Sequence, residues 1–240
     1  MQSTLTSAEV EPGLDIVLAG ARLRALTCGG LWWADQRILV VSDLHLEKGS
    51  SYAARGQMLP PYDTRTTLAR MERLIDILAP RRVISLGDSF HDRGARPRMA
   101  ADDVARVRRM TGACDWVWIE GNHDPAPPRD LGGDVACELN VGPLTFRHIP
   151  NPGPAPGEVA GHLHPCARVV GRDGRSVRTR CFVMGGERLV MPACGALAGG
   201  LNVLDPAFAP LFPHGFLAGV MGRDGVYLAG PESLAPDRLR

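Results

Sequence analysis

The chain has almost no net charge with which to steer a partner: its formal balance is +1 over 240 residues. That excludes a global basic field for polyanions, so any nucleic-acid contact must come from a local cluster. Lysine is nearly missing. Lys48 is the only one among many arginines, a feature of coding bias before it is a sign of phosphate recognition by guanidinium groups. Paired cysteines are missing too: Cys28, Cys114, Cys137, Cys166, Cys181 and Cys194 stand apart with no C-x-x-C. This argues against a zinc ribbon or a disulfide framework and leaves them as buried or incidental thiols. No apolar run is long enough to span a bilayer, and residues 1–13 lack the basic and apolar segments of a leader. The sequence therefore predicts a protein of the reducing cytoplasm without membrane contact. No period recurs, which sets aside a repeat architecture, and the length suits one large domain over residues 1–240.

What is present is a series of apolar runs that end in polar residues able to bind metal. Residues 37–41 are β-branched and aliphatic, suited to a strand buried on both faces, and deliver Ser42-Asp43-Leu44-His45. Residues 81–86 repeat the pattern and end in Gly87-Asp88-Ser89-Phe90-His91-Asp92; residues 116–119 lead into Gly121-Asn122-His123-Asp124. Between these runs, Leu68, Met71, Leu74, Ile75 and Leu78 recur at helical spacing, from a capping Asp63 to a stop at Pro80. Val104, Val107 and Met110 mark a second helix whose arginines form its solvated face. Residues 49–61 read as a loop, and 15–27 and 31–34 as strands around a turn at Cys28-Gly29-Gly30. The first half thus reads strand, helix, strand, helix, strand: a parallel arrangement that brings polar residues to one edge.

The second half holds short strand candidates at 135–139, 144–148, 158–160, 167–170, 177–184, 188–191, 216–220 and 226–229. Gly161-His162-Leu163-His164 follows the third of them. This half reads as a second sheet packed face to face on the first with helices outside it, giving an α/β fold, a four-layer αββα sandwich of two mixed sheets.

Asp43, His45, Asp88, Asn122, His148, His162 and His164 supply enough nitrogen and oxygen donors for two adjacent metals. A shared carboxylate, assigned to Asp88, suits ions roughly 3.5 to 4 Å apart, as two-metal hydrolysis of phosphate esters requires. Carboxylate and amide oxygens beside imidazoles fit two divalent ions, with Mn²⁺ the first choice and Fe²⁺, Zn²⁺ or Ni²⁺ the others. His123, beside Asn122, is placed to move a proton.

This ordered set (D-x-H, G-D, G-N-H-D, a lone His, G-H-x-H) resembles the calcineurin-like metallophosphoesterase superfamily. The resemblance implies one metal on Asp43, His45 and His164, a second on Asn122, His148 and His162, and Asp88 bridging. It implies that His123 protonates the leaving oxygen, that Asp124 orients and polarises His123, and that a water acidified between the ions attacks. His148 lies in no short motif and is assigned through the set. His91 has two readings: a loop histidine that hydrogen-bonds nearby, or a residue acting on the phosphodiester, as its offset from Asp88 resembles the nuclease subunit of the double-strand-break repair complex. His214 reads as structural. Residues 41–49, 55–63, 87–92, 121–125, 161–166 and 199–202 look like the DNA-ligase-associated metallophosphoesterases, whereas Cys194 and Leu197 depart from the aromatics of that group. That likeness implies a role in DNA repair and association with an ATP-dependent DNA ligase, a helicase and an exonuclease-like protein.

The expected activity is hydrolysis of a phosphodiester, with nucleic acid as the substrate class. Lys48, Arg55, Arg93 and Arg96, in loops after the ligand motifs, are candidates to hold phosphate. The alternatives are a phosphodiesterase or phosphatase for small nucleotides and a non-catalytic scaffold in a repair assembly.

Overall fold

The computed structural model describes residues 11–171 and 173–237; the reading of residues 1–10 as no leader lies outside these. The chain opens with an antiparallel meander, β1 (Gly13–Leu18), β2 (Ala21–Leu26) and β3 (Leu31–Trp33), which leads into β4 (Ile38–Val41). After helices α1 (Lys48–Ala53) and α2 (Asp63–Leu78) come β5 (Arg82–Leu86), then α3 (Ala95–Arg98), α4 (Ala101–Ala113), β6 (Asp115–Ile119) and β7 (Asp134–Ala136). β4 to β7 run parallel, so this first sheet is mixed, in sequential order β1 to β7.

The remaining strands are β8 (Glu138–Val141), β9 (Leu144–Arg147), β10 (Glu158–Ala160), β11 (Pro165–Val170), β12 (Ser176–Gly185), β13 (Arg188–Val190), β14 (Leu201–Asn202), β15 (Leu217–Met221), β16 (Val226–Ala229) and β17 (Leu234–Ala235). They build a second mixed sheet along β14-β11-β12-β13-β10-β9-β8, with β15, β16 and β17 attached beside it.

The uninterrupted apolar runs are explained by a sheet with a core on each face. In β4, Leu39 and Val41 face the helices while Ile38 and Val40 face the second sheet; in β6, Trp116 and Trp118 alternate with Val117 and Ile119 in the same way. The helical layer supplies Leu68, Met71, Leu74, Val104, Val107 and Met110 to the outer core. Phe146, Val159, Phe182, Leu189 and Met191 of the second sheet fill the inner one.

Four local expectations change. The run at 135–139 is not one strand. It breaks at Cys137, β7 joining the first sheet and β8 the second. Part of the 49–61 loop is α1, tied down by buried Glu47, whose carboxylate accepts from Ser50 Oγ and Thr64 Oγ1. Asp63 does not cap α2 through its side chain; Tyr62 holds the cap position, and the Asp63 carboxylate accepts the Gly49 N–H at 3.0 Å. Finally, no α-helix follows residue 113 among the described residues. The outer face of the second sheet is covered instead by Val203, Phe208 and Phe212, from a segment with one 3₁₀ turn at Pro206–Phe208, because the aromatics of this Pro-rich segment cover Cys181, Val183, Val190 and Val220 without an α-helix.

Candidate metal centre

Five strand ends, from β4, β5, β6, β9 and β10, open on the same place. The first two loops are zipped together: Asp43 N–H donates to Gly87 O at 3.3 Å, His45 N–H to Asp88 O at 2.9 Å and His91 N–H to Leu46 O at 2.9 Å. Backbone strain gathers here. Asp43, His45, Asp88, His162 and His164 all have left-handed φ, between 44° and 71°. Non-glycine residues resist that conformation, and it persists where the surroundings hold it for a purpose. The left-handed Asp43 and His45 present their side chains to one donor group, whereas His162 and His164 divide between two adjacent groups.

Two donor groups result. Asp43, His45, Asp88 and His164 form one; Asp88, His148 and His162 form the other. Asn122 belongs to the second, its Oδ1 being 3.0 Å from His148 Nε2. Asp88 stands between them, with Oδ1 3.4 Å from His148 Nε2 and Oδ2 3.9 Å from His45 Nε2.

The donor set fits cations. His45 Nε2 faces His164 Nε2 at 3.2 Å, and His148 Nε2 faces His162 Nδ1 at 3.3 Å. Asp43 Oδ1 is buried 3.0 Å from His164 Nε2 without the alignment of a hydrogen bond. The His148 Nδ1 atom lies 2.8 Å from the Leu86 carbonyl. A carbonyl only accepts, so Nδ1 carries a hydrogen and Nε2 is the nitrogen that faces the cluster. Such a gathering of buried acceptors draws in positive charge, and in the metal-free chain the charge is a proton. Burial opposes it, but Asp88 and Asp43 push His148 up to about 9. Burial likewise works against the Asp88 carboxylate, yet the hydrogen bond and charge of His148 hold it at about 2. Burial, outweighing the pull of Asp43, takes His45 down to about 3, leaving it neutral as a ligand must be.

The residues around the donors behave differently from one another. His123 is exposed, with its N–H held by Asp88 Oδ1 at 2.9 Å and its ring Nδ1 2.9 Å from the His91 carbonyl oxygen. That contact assigns the hydrogen to Nδ1 and leaves Nε2 facing the cluster, 3.9 Å from Asp88 Oδ2. Asp124 does not hold the His123 ring. Its buried carboxylate turns to the loop after β5, accepting the Phe90 N–H at 3.0 Å, and burial raises its pKa to about 7. The orienting oxygen expected of a carboxylate comes from a backbone carbonyl. His91 stacks on His123, with centres 5.4 Å apart, and lies outside both donor groups. His214 is exposed and outside both donor groups as well. Arg96 is committed to Asp130 by a bidentate pair, so it is not a free phosphate clamp; Arg55 and Arg93 are exposed.

Sequence reading missed the groups that brace the first strand end. Ser42 Oγ donates to Asp43 Oδ2, which also accepts the His162 N–H at 3.1 Å. Residues 193–195 lie alongside: Cys194 N–H donates to Ser42 O and Gly195 N–H to Asp43 O. That segment is fixed by Arg180, whose guanidinium donates to the carbonyls of Ala193, Gly195 and Ala198. The available signal was Arg180 standing directly before the buried run Cys181-Phe182-Val183 of β12.

A family model described as calcineurin-like phosphoesterase matches residues 36–190, and the chain belongs to that family. Among solved structures, the Pseudomonas putida nuclease MPE is 32% identical and superposes with a TM-score of 0.69, covering 90% of this chain and 100% of that one. The phosphoesterase Yfce from E. coli is 14% identical, covers 80% of this chain and 98% of its own, and has a TM-score of 0.42, too distant an overlay to bear on the site. No match was found among curated proteins. The protein is therefore a hydrolase of the metallophosphoesterase class with two sets of metal-competent side chains.

Proposed function

We propose that the chain is a two-metal phosphodiesterase acting on nucleic acid. The observation that carries this reading is Asp88, one carboxylate shared by two donor groups built from separate strand ends. Asp43, His45 and His164 would hold one ion, Asn122, His148 and His162 the other, and Asp88 would serve both. Two divalent ions so held supply Lewis acidity toward the phosphoryl oxygens and toward the attacking water. Mn²⁺ is the ion we assign, on the mixture of hard oxygens and imidazoles.

The chain's own contribution is charge and proton placement. His123 is fixed by the His91 carbonyl so that Nε2 meets the leaving oxygen and carries its proton. Asp88 accepts the backbone N–H of His123 and so ties the main chain of that residue to the donor cluster. Asp124 acts through packing, holding the loop after β5 against the loop after β6. A cleft of about 350 Å³ lined by Glu120, Asn122, Cys137, Arg147 and His148 opens beside the second donor group and leaves room for one arm of an ester.

The likeness to a nuclease at 32% identity supports a nucleic-acid substrate over a small nucleotide. The motif likeness to ligase-associated enzymes supports a place in DNA repair beside an ATP-dependent ligase, a helicase and an exonuclease-like protein. No helix among the described residues is long and apolar enough to cross a membrane, and we place the protein in the cytoplasm with its DNA substrate. The test is hydrolysis of a chromogenic phosphodiester and its monoester by metal-stripped protein, with Mn²⁺, Zn²⁺, Ni²⁺ or Mg²⁺ restored singly. The expected result is Mn²⁺-dependent diester turnover that Asn122→Ala abolishes; equal turnover by that variant contradicts the assignment.

A further inference from the structure

Helix α1 flanks the metal centre without contributing a ligand to it. It carries Tyr52, whose ring centre is 5.8 Å from that of His91 with the planes tilted by 41°. His91 stacks in turn on His123 at 5.4 Å and 20°. The three rings form a ladder that leads from the Asp88 carboxylate outward to α1. At its outer rung, Lys48 Nζ sits 5.9 Å from the Tyr52 ring centre. Lys48 is the only lysine in the chain. It is partly desolvated, and the carboxylate whose field opposes this, Asp63, is already committed to the Gly49 N–H.

A phosphodiester has two arms, and each needs a path away from the metals. Aromatic faces stack bases regardless of sequence, while an unpaired cation nearby takes the next phosphate. The long stem of Lys48 lets its ammonium swing from the Tyr52 ring to such a phosphate.

We propose that Tyr52 and Lys48 form a subsite for the nucleotide adjoining the scissile phosphate: Tyr52 stacks on its base and Lys48 pairs with its phosphate. The ligand is single-stranded nucleic acid, since a base within a duplex does not offer its face. This inference rests on the phosphodiesterase reading but is measured by binding, which separates the two. Full-length, metal-stripped protein is titrated against a fluorescein-labelled oligothymidylate, followed by anisotropy at several NaCl concentrations. Tyr52→Ala is expected to weaken binding roughly tenfold and Tyr52→Phe to preserve it. Lys48→Ala should make the slope of log K against log salt shallower by about 0.7, with Lys48→Arg restoring it. Because Lys48 is a flexible, half-buried side chain, its slope decides the matter even if Tyr52→Ala folds poorly. Variants that match the wild type in both affinity and slope overturn the subsite, as does a wild type that hydrolyses a small diester yet leaves the oligomer unbound. An oligomer bound in this Tyr52-dependent way but left uncleaved whichever metal is restored overturns the hydrolytic reading alone.

Discussion

Gly121 occupies a space where a Cβ would overlap the Asp88 backbone nitrogen, Asp88 Oδ1 and Asp124 Oδ1. Gly161 is similarly placed against Ser42 Oγ and Asp43 Oδ2. Glycine is required at both because the ligand carboxylates pass directly beside the backbone. Gly121→Ala should therefore cost about 2 to 4 kcal/mol of stability by displacing Asp88, with loss of metal binding; denaturant melts and metal counting check both. The titration of His148 gives a second residue-scale prediction. Its pKa is raised from 6.5 to about 9 in the metal-free chain, so its stabilising charge is fully present below pH 6.5 and is lost as pH rises through 9. Metal-free protein should lose stability over that window in denaturant melts, whereas His148→Gln should show a flatter profile. Bound divalent ions invert this logic, since they require neutral imidazole. That these side chains gather at one place was legible in the sequence, because they follow the ends of apolar runs. The direction of Asp124 was not, since whether a buried carboxylate meets a neighbouring ring or a remote N–H depends on the turn between strand ends.

Among the elements, β4, β5 and β6 with their intervening helices were legible from apolar runs and helical spacing. The break of residues 134–141 into β7 and β8 was not. Strand propensity continues through Cys137, and only the separation of the two sheets decides where the chain crosses. α1 was hidden for a related reason: its anchor, buried Glu47 with Ser50 and Thr64, is a tertiary arrangement of polar groups. The segment of residues 193–198 carries the strongest element-scale prediction. Arg180 donates three hydrogen bonds to its carbonyls, at 2.7 to 3.1 Å, and the segment in turn accompanies the backbone of Ser42 and Asp43. Arg180→Met leaves the Ala193 and Ala198 carbonyls without that donor, while Gly195 O keeps only the Ala198 N–H, and should cost about 2 to 4 kcal/mol, measured by denaturant unfolding. Metal affinity should fall along with stability, because the Asp43 loop loses its support.

At the scale of the molecule, two mixed sheets share one apolar interior and meet at an edge where donors from both are brought together. β4, β5 and β6 provide Asp43, His45, Asp88 and Asn122, while the strand ends of β9 and β10 provide His148, His162 and His164. Two divalent ions held at that edge would tie one sheet to the other and would bind only the folded chain. Metal-loaded protein should accordingly melt higher than stripped protein, by an amount that grows with free metal concentration. Differential scanning fluorimetry across a Mn²⁺ series checks this. The same linkage leads to the most direct test of the central claim: count the ions. Stripped protein titrated with Mn²⁺, with bound metal measured by mass spectrometry and diester turnover followed in parallel, should bind two ions per chain and gain activity with the second. Asp88→Ala should fail to hold the pair and lose roughly a thousandfold or more in turnover. Full activity with one ion bound, or an Asp88→Ala variant that still binds two and turns over normally, would contradict the account.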